Sequence, residues 1–446
     1  MITRRAVAAG LATTLIGLPR TGQAQDSLGS EFLLTAKPAR LKLRPDAPGT
    51  AEVWTLGDSL SPVLRARPGQ ELRMTLRNET SRPLSLHVHG MRGPNAADGV
   101  GGLTQAPVFP GQSHESRFVP PDSGTFLLRP CILGGSAEPL ERGLSGLLIV
   151  EEPRAPEVDR DLALLMDDWR LAEDGTLAPF ERPSEPAPAG RLGNWLSVNG
   201  GPTPQRIEAP PGGRLRLRLA NACNARAMRL RFDGLKAYVI AVDGQPTSSF
   251  EPLRASLPFA PGTRYDLLAD IPAEAGARGA VMALIGDGMP LVEIVATGSA
   301  RPALPPVAPL PPNPKLPDAI KLQNAARKDL VIKGDPQSPT VPWTINGAAG
   351  NASGPPLLKV RRGSPVVLTL TNQTAFMQPL HLHGHCFRLL HALDDGWEPY
   401  FLDTVQVPEN RTIRIAFVAD NPGKWLLAST VMERFDAGLW TWIEVT

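Results

Sequence analysis

Seven histidines occur in 446 residues, and four of them form two His-x-His pairs, His87-Val88-His89 and His381-Leu382-His383. Imidazole is a favoured ligand for zinc and copper, so paired histidines are the first candidates for chemistry. Each pair closes a longer stretch that occurs twice. Residues 75–90 read TLRNETSRPLSLHVHG and residues 369–384 read TLTNQTAFMQPLHLHG, aligned without a gap. The Leu, Val and Thr that precede each pair predict a strand. Residues two apart on a strand face the same side, about 7 Å apart. That spacing is wide for one ion. It suits two neighbouring metals, or one ring from each strand on a shared ion. A single His-x-His would read as an exposed strand with no role. Two copies, each followed by glycine, favour a metal site.

The elements that must hold these pairs repeat as well. Gly69, Leu72, Leu76 and Asn78 recur as Gly212, Leu215, Leu219 and Asn221, and in part as Gly363, Leu370 and Asn372. The offsets of 143 and 294 residues imply three related domains. In the middle copy the histidine positions are Leu230 and Phe232, so that domain would keep the fold without the ligands. Domain ends repeat too: Pro121-Asp-Ser-Gly-Thr-Phe-Leu-Leu128 parallels Asp420-Asn-Pro-Gly-Lys-Trp-Leu-Leu427. With 48 Pro and 42 Gly the chain is dense in turns, as all-β proteins of short strands are. Runs such as Arg214-Leu-Arg-Leu-Arg-Leu219 alternate with period two and predict strands with one buried face. The expected architecture is all-β, three consecutive Greek-key β-sandwiches at 25–152, 158–300 and 326–446. Proline-rich breaks separate them near 152–158 and within a stiff 301–325 linker, where eight prolines fall between residues 302 and 317.

Charge and cysteine content exclude several classes. The formal net charge is +2, which gives no electrostatic case for nucleic acid or an anionic membrane. Three cysteines, Cys131, Cys223 and Cys386, do not imply a disulfide framework. Thr3-Arg4-Arg5, the apolar run Ala6 to Leu18 and Gly22-Gln23-Ala24 read as a cleavable leader over 1–24, of the twin-arginine type. That run is too short for stable membrane insertion. The mature protein is therefore expected in the periplasm.

These motifs together resemble the multicopper oxidases of the laccase and copper-efflux type, whose domains are cupredoxins. The resemblance rests on HVHG at 87–90, Asp98-Gly-Val-Gly-Gly-Leu-Thr-Gln105, Pro121-Asp-Ser-Gly-Thr-Phe126 and Arg142-Gly-Leu-Ser-Gly-Leu-Leu-Ile-Val150. It continues through Asp167-Asp-Trp169, Val198-Asn-Gly200, HLHGH at 381–385, Asp403-Thr-Val405 and Asn421-Pro-Gly423. The resemblance implies a type 1 copper that takes electrons and a trinuclear cluster, built from four His-x-His pairs, that reduces dioxygen. This chain cannot supply them. Its seven histidines fall short of the eight that such a cluster uses, and the other two triplets read Arg129-Pro130-Cys131 and Ala428-Ser429-Thr430. At the type 1 site the cysteine position is Ser429, the histidine positions are Gln378 and Arg434, and the axial methionine position is Leu439. Four-copper oxygen reduction is not expected, and the active site is degenerate.

What the resemblance leaves is a reduced ligand set. His87 and His381 match the type 2 copper histidines, and His89 and His383 are each the one retained histidine of a type 3 copper. Cys131 stands where a further ligand would be, with a buried small hydrophobe as its equal alternative. Asp98 matches the carboxylate that relays protons near the cluster. Such a set would hold one copper ion of type 2 character, and zinc would also accept it. Retention of the inner four histidines favours metal binding, while the fixed charge of Arg129 argues against it unless it pairs with Asp98 or holds an anion. Two functions remain open. One is copper binding, handling or limited redox chemistry. The other is a metal-free scaffold of the exported cell-division type, which would meet a periplasmic protein partner of unidentified kind.

Overall fold

The computed structural model describes residues 26–28, 30–180, 190–334, 343–390 and 396–446. The leader segment 1–24 and the lone His391 lie outside the described residues. No helix among the described residues is long and apolar enough to cross a membrane.

Six sheets pair into three sandwiches, each closed over its own apolar core. In the first, a five-stranded sheet ends on Leu86–His89, which pairs antiparallel with Gly124–Pro130 and puts Arg129 opposite His87 and Leu127 opposite His89. In the third, Gln378–Leu382 lies between Thr404–Val407 and Gly423–Ser429, with His381 opposite Thr404 and Ala428. Both triplets flagged by the sequence, Arg129-Pro130-Cys131 and Ala428-Ser429-Thr430, thus begin directly opposite a histidine. In the middle sandwich, Leu230 and Phe232 on Met228–Asp233 are buried in the core, which accounts for apolar residues at those repeat positions.

The repeated asparagine explains why the stretch recurs. Asn78 Nδ2 donates to the carbonyls of Arg82 and Val108, and Asn372 Nδ2 donates to those of Phe376 and Val407. The side-chain oxygen of each accepts from the backbone and hydroxyl of the Thr two residues on, Thr80 and Thr374. Asn221 does the same with the carbonyls of Arg226 and Phe259 and the backbone of Cys223. One buried amide therefore satisfies the turn that leads to each histidine strand or its middle-domain counterpart.

One expectation is overturned. Arg214–Asn221 is buried on both faces rather than one. Arg216 donates to Glu152 and Asp266, and Arg218 to Asp161, Asp266 and the Thr125 hydroxyl, so the polar face is docked against the end of the first domain. Alternation predicted the two faces correctly but not that an ion-pair network would replace water on one of them. The linker also does more than connect. Leu310 packs on Ile240, Ala241 and Leu268, and Asn313 donates to Asp122 and Gln245.

Replacing Asn372 with alanine removes the amide donor to the Phe376, Val407 and Pro408 carbonyls and the acceptor of the Thr374 donors. The expected cost is about 2–4 kcal/mol, read as a lower urea midpoint. A loss below about 1 kcal/mol would show that water replaces the amide.

Candidate metal centre at the domain junction

The strand pleat sets the spacing within each histidine pair, and domain docking sets the spacing between pairs. Ring centroids are 5.9 Å apart for His87 and His89 and 4.8 Å for His381 and His383. Across the domains they are closer: 4.0 Å for His87 on His383 and 3.7 Å for His89 on His381, both stacked. His87 and His381 lie 5.7 Å apart, facing into the same space rather than away from each other. One ring from each strand is thus brought against its counterpart across the domain boundary.

Hydrogen bonds decide which nitrogen of each ring is available. His87 Nδ1 donates to the main-chain carbonyl of Asp98 at 2.6 Å, and His381 Nδ1 to that of Asp403 at 2.9 Å. A carbonyl only accepts, so the proton sits on Nδ1 and the lone pair on Nε2. Both Nε2 atoms are buried without a hydrogen-bond partner. A buried acceptor left unpaired is costly, and an imidazole oriented through its other nitrogen is the usual form of a metal ligand. His383 Nδ1 sits 3.1 Å from both carboxylate oxygens of Asp98. One donor atom each from His87, His381 and His383 lies within 4.8 Å of the other two. Three imidazoles placed in this way fit copper or zinc.

The remaining candidates divide. His89 Nε2 meets the Thr404 hydroxyl at 2.9 Å, and that hydroxyl donates to Asp403 at 2.8 Å, so His89 is held as a donor there. It groups with His381 and Asp403 rather than with His87. Cys131 borders the same cavity but is not among the groups whose donor atoms converge, and burial pushes its thiol well up. Asp98 orients two rings, through its carbonyl on His87 and its carboxylate on His383. Burial alone would raise its carboxyl. The imidazoles of His383 and His87 outweigh that and hold it well below the usual carboxylate range. Arg129 does not pair with Asp98. Its guanidinium donates across the domain boundary to the Thr430 carbonyl at 3.1 Å. The cavity bounded by these groups is small, about 20 Å³, room for about one water-sized occupant.

Several functional residues carry no motif of their own. Arg264, from the middle domain, pairs with Asp403 of the third through bonds of 3.0 and 2.6 Å and donates to the Thr125 carbonyl of the first. Asp243 accepts from the backbone of Asp403 and Thr404. A Cβ on Gly90 would sit 2.1 Å from Arg264 and 2.6 Å from Asp403, so glycine there is what lets the ion pair close beside His89. Asp403-Thr-Val405 parallels Asp98-Gly-Val100 after the other histidine pair, a pattern that could have pointed to Asp403. Arg264 had none, because it comes from the domain that lacks histidines.

The positions that the resemblance assigns to the electron inlet also converge, but with other chemistry. Arg434 donates to Gln378 Oε1 at 2.8 Å and lies over Trp343, and the Ser429 backbone donates to the Leu439 carbonyl. No thiolate or imidazole is among these four residues.

Multicopper oxidase family models match residues 40–155, 163–278 and 311–446. The chain belongs to the multicopper oxidase family. A multi-copper oxidase crystal structure from Pseudomonas thermotolerans superimposes with a TM-score of 0.84 at 31% identity, covering 95% of this chain and 100% of that one. The multicopper oxidase MmcO of Mycobacterium tuberculosis is 28% identical over 434 residues, 88% of this chain and 82% of the relative. The cell division protein FtsP of Xenorhabdus nematophila is 27% identical over 478 residues, 97% of this chain and 96% of the relative. The three sandwiches are accordingly the cupredoxin-like domains of a multicopper oxidase.

Two outcomes follow from this packing. Arg264→Met strands the buried Asp403 carboxylate and is expected to cost about 3–5 kcal/mol, with much of it recovered on adding Asp403→Asn; chemical denaturation measures both. The second concerns acid. Burial first, then the neighbouring His87, lowers His383 from its ordinary value to about 3, although Asp98 opposes the shift. The folded state therefore keeps this ring neutral while the unfolded chain takes up a proton below about 6.5. Stability of chelator-treated protein is expected to be full above that pH. It falls as pH drops toward 3, by up to about 1.4 kcal/mol per unit for this one group. His383→Gln should flatten the profile, and an unchanged slope would contradict the assignment.

Proposed function

We propose that this multicopper oxidase relative binds a single copper ion, type 2-like, through His87, His381 and His383, and does not carry out laccase-type oxygen reduction. The observation that carries this reading is the pair of buried, unpartnered Nε2 atoms on His87 and His381, each oriented by an Nδ1 bond to an aspartate carbonyl. The cavity volume supports one ion rather than a cluster. His89 supports the site by stacking on His381, and Cys131 is an additional ligand only if its side chain turns toward the imidazoles. Zinc would fit the same nitrogens.

Copper bound there would supply a one-electron redox couple. The chain's own residues bind it, keep the rings neutral and exclude bulk water. Asp98 acts here as an orienting group rather than as the proton relay that the resemblance implies, because neighbouring imidazoles keep its carboxyl ionised. With Ser429, Gln378 and Arg434 at the inlet positions there is no thiolate path for electrons from a substrate. Storage, delivery or limited redox chemistry of copper in the periplasm is the role that follows, with Thr3-Arg4-Arg5 and the apolar run after it supporting export by the twin-arginine route.

A second reading has its own support. The relative FtsP is matched over nearly the full length of both chains and is a cell division protein. A metal-free scaffold with a periplasmic protein partner is therefore the alternative. Metal analysis of protein purified from the periplasm separates the two. The expected result is about one copper per chain, lost in His87→Ala and His381→Ala, without a blue absorption band and without dioxygen uptake on a laccase dye. No bound metal would favour the scaffold, and four coppers or dye-driven oxygen uptake would overturn the site.

A further inference from the structure

Arg129 is buried, 3% exposed, at the meeting point of the three domains. It stands opposite His87 in the first domain and donates to Thr430 in the third. A Cβ on Gly262 of the middle domain would lie 3.4 Å from its Nη1 and 2.9 Å from the His89 ring. The Thr430 carbonyl is its one hydrogen-bond acceptor among the described residues, and its Nε is buried without a partner. No carboxylate there lies within ion-pair distance of it: Asp98 is taken by His383, and Asp403 by Arg264. Asp167 is the nearby carboxyl by electrostatic influence. Burial, then Asp168 and Glu141, pushes it well above the usual range, and it makes no ion pair with Arg129 among the described residues. A buried guanidinium without an ion-pair partner is a costly arrangement.

Beside it is one further donor without an acceptor. The Thr430 hydroxyl is buried and unpartnered, and it lines the same cavity as Arg129 and the Cys131 thiol. The cavity, about 20 Å³, admits about one water-sized occupant. Convergent N–H and O–H donors around a fixed positive charge, in a space that size, select for charge and for size. We propose that Arg129 and the Thr430 hydroxyl form a binding site for one monovalent anion of halide size. The guanidinium supplies charge and directed N–H groups, and its weak hydration favours a weakly hydrated halide over the larger, strongly hydrated sulfate. The cavity admits about one occupant, so an anion on Arg129 and a cation on the imidazoles would be alternatives, and the anion is sought in the metal-free chain. The site itself does not need the metal, so it stands or falls separately from the copper reading.

The test uses the full mature chain treated with chelator. Thermal unfolding is followed as bromide replaces sulfate at constant ionic strength. The expected result is a midpoint that rises with bromide as a binding isotherm rises, about 2.7 kcal/mol at one hundred times Kd. Arg129→Met keeps the volume and removes the charge, so it should fold and show no bromide response. Thr430→Val keeps the charge and should weaken the response several-fold. Bromide-soaked crystals should give an anomalous peak in contact with the Arg129 guanidinium. Equal bromide responses in wild type and Arg129→Met overturn the proposal, as does no response in the wild type or a peak only elsewhere. Should Arg129→Met not fold, the Thr430→Val response and the peak position decide.

Discussion

A single buried guanidinium ties the three domains to the histidine site. Arg264 leaves the middle sandwich, donates to a main-chain carbonyl of the first and closes a two-bond ion pair on Asp403 of the third. Asp403 in turn sets the His381 ring through its carbonyl and fixes Thr404, which holds His89. The middle domain has no ligand of its own, yet its arginine decides where two of the four imidazoles point. Buried ion pairs are weak devices for stability and better ones for fixing a geometry, because either partner alone is so unfavourable. Here that geometry is the relative placement of two histidine pairs almost 300 residues apart in sequence.

Against that frame, the departures from the family pattern fall into two regions with different physical consequences. At the inlet, Arg434 hydrogen-bonds Gln378 and the Met377 carbonyl and lies over an aromatic ring, so neighbouring side chains fill the space. At the histidine cavity, Arg129 and Thr430 fill space without completing their hydrogen bonds. The first region has been closed. The second keeps unpaired acceptors on the imidazoles and unpaired donors on Arg129 and Thr430, which is the signature of a place that receives something. Membership of the multicopper oxidase family describes the body of the protein, whereas function lives in these few side chains.

Much of the fold could be read from the chain. The three-fold recurrence of Leu and Asn, the alternating runs and the turn density pointed to three sandwiches, and the buried asparagine networks give the recurrence its cause. The histidine pairs were visible because strand period and residue type are local properties. The two buried faces of Arg214–Asn221 were not visible. Alternating arginine and leucine reads as a solvated face until Glu152, Asp161 and Asp266 are brought against it.

The sequence by itself determined the strand framework, the four imidazoles and the absence of a thiolate inlet, since each depends on which residues are present and on a period of two. Tertiary structure alone decided that rings stack across domains more closely than within a pair, and that His89 is held by Thr404 while Nε2 of His87 and His381 stays free. It also decided that Arg129 has no ion-pair partner among the described residues. The reason is the same in each case. Which nitrogen carries a proton, and which charge has a partner, is set by contacts between chain segments more than one hundred residues apart, such as Arg264 with Asp403, and no local pattern encodes them.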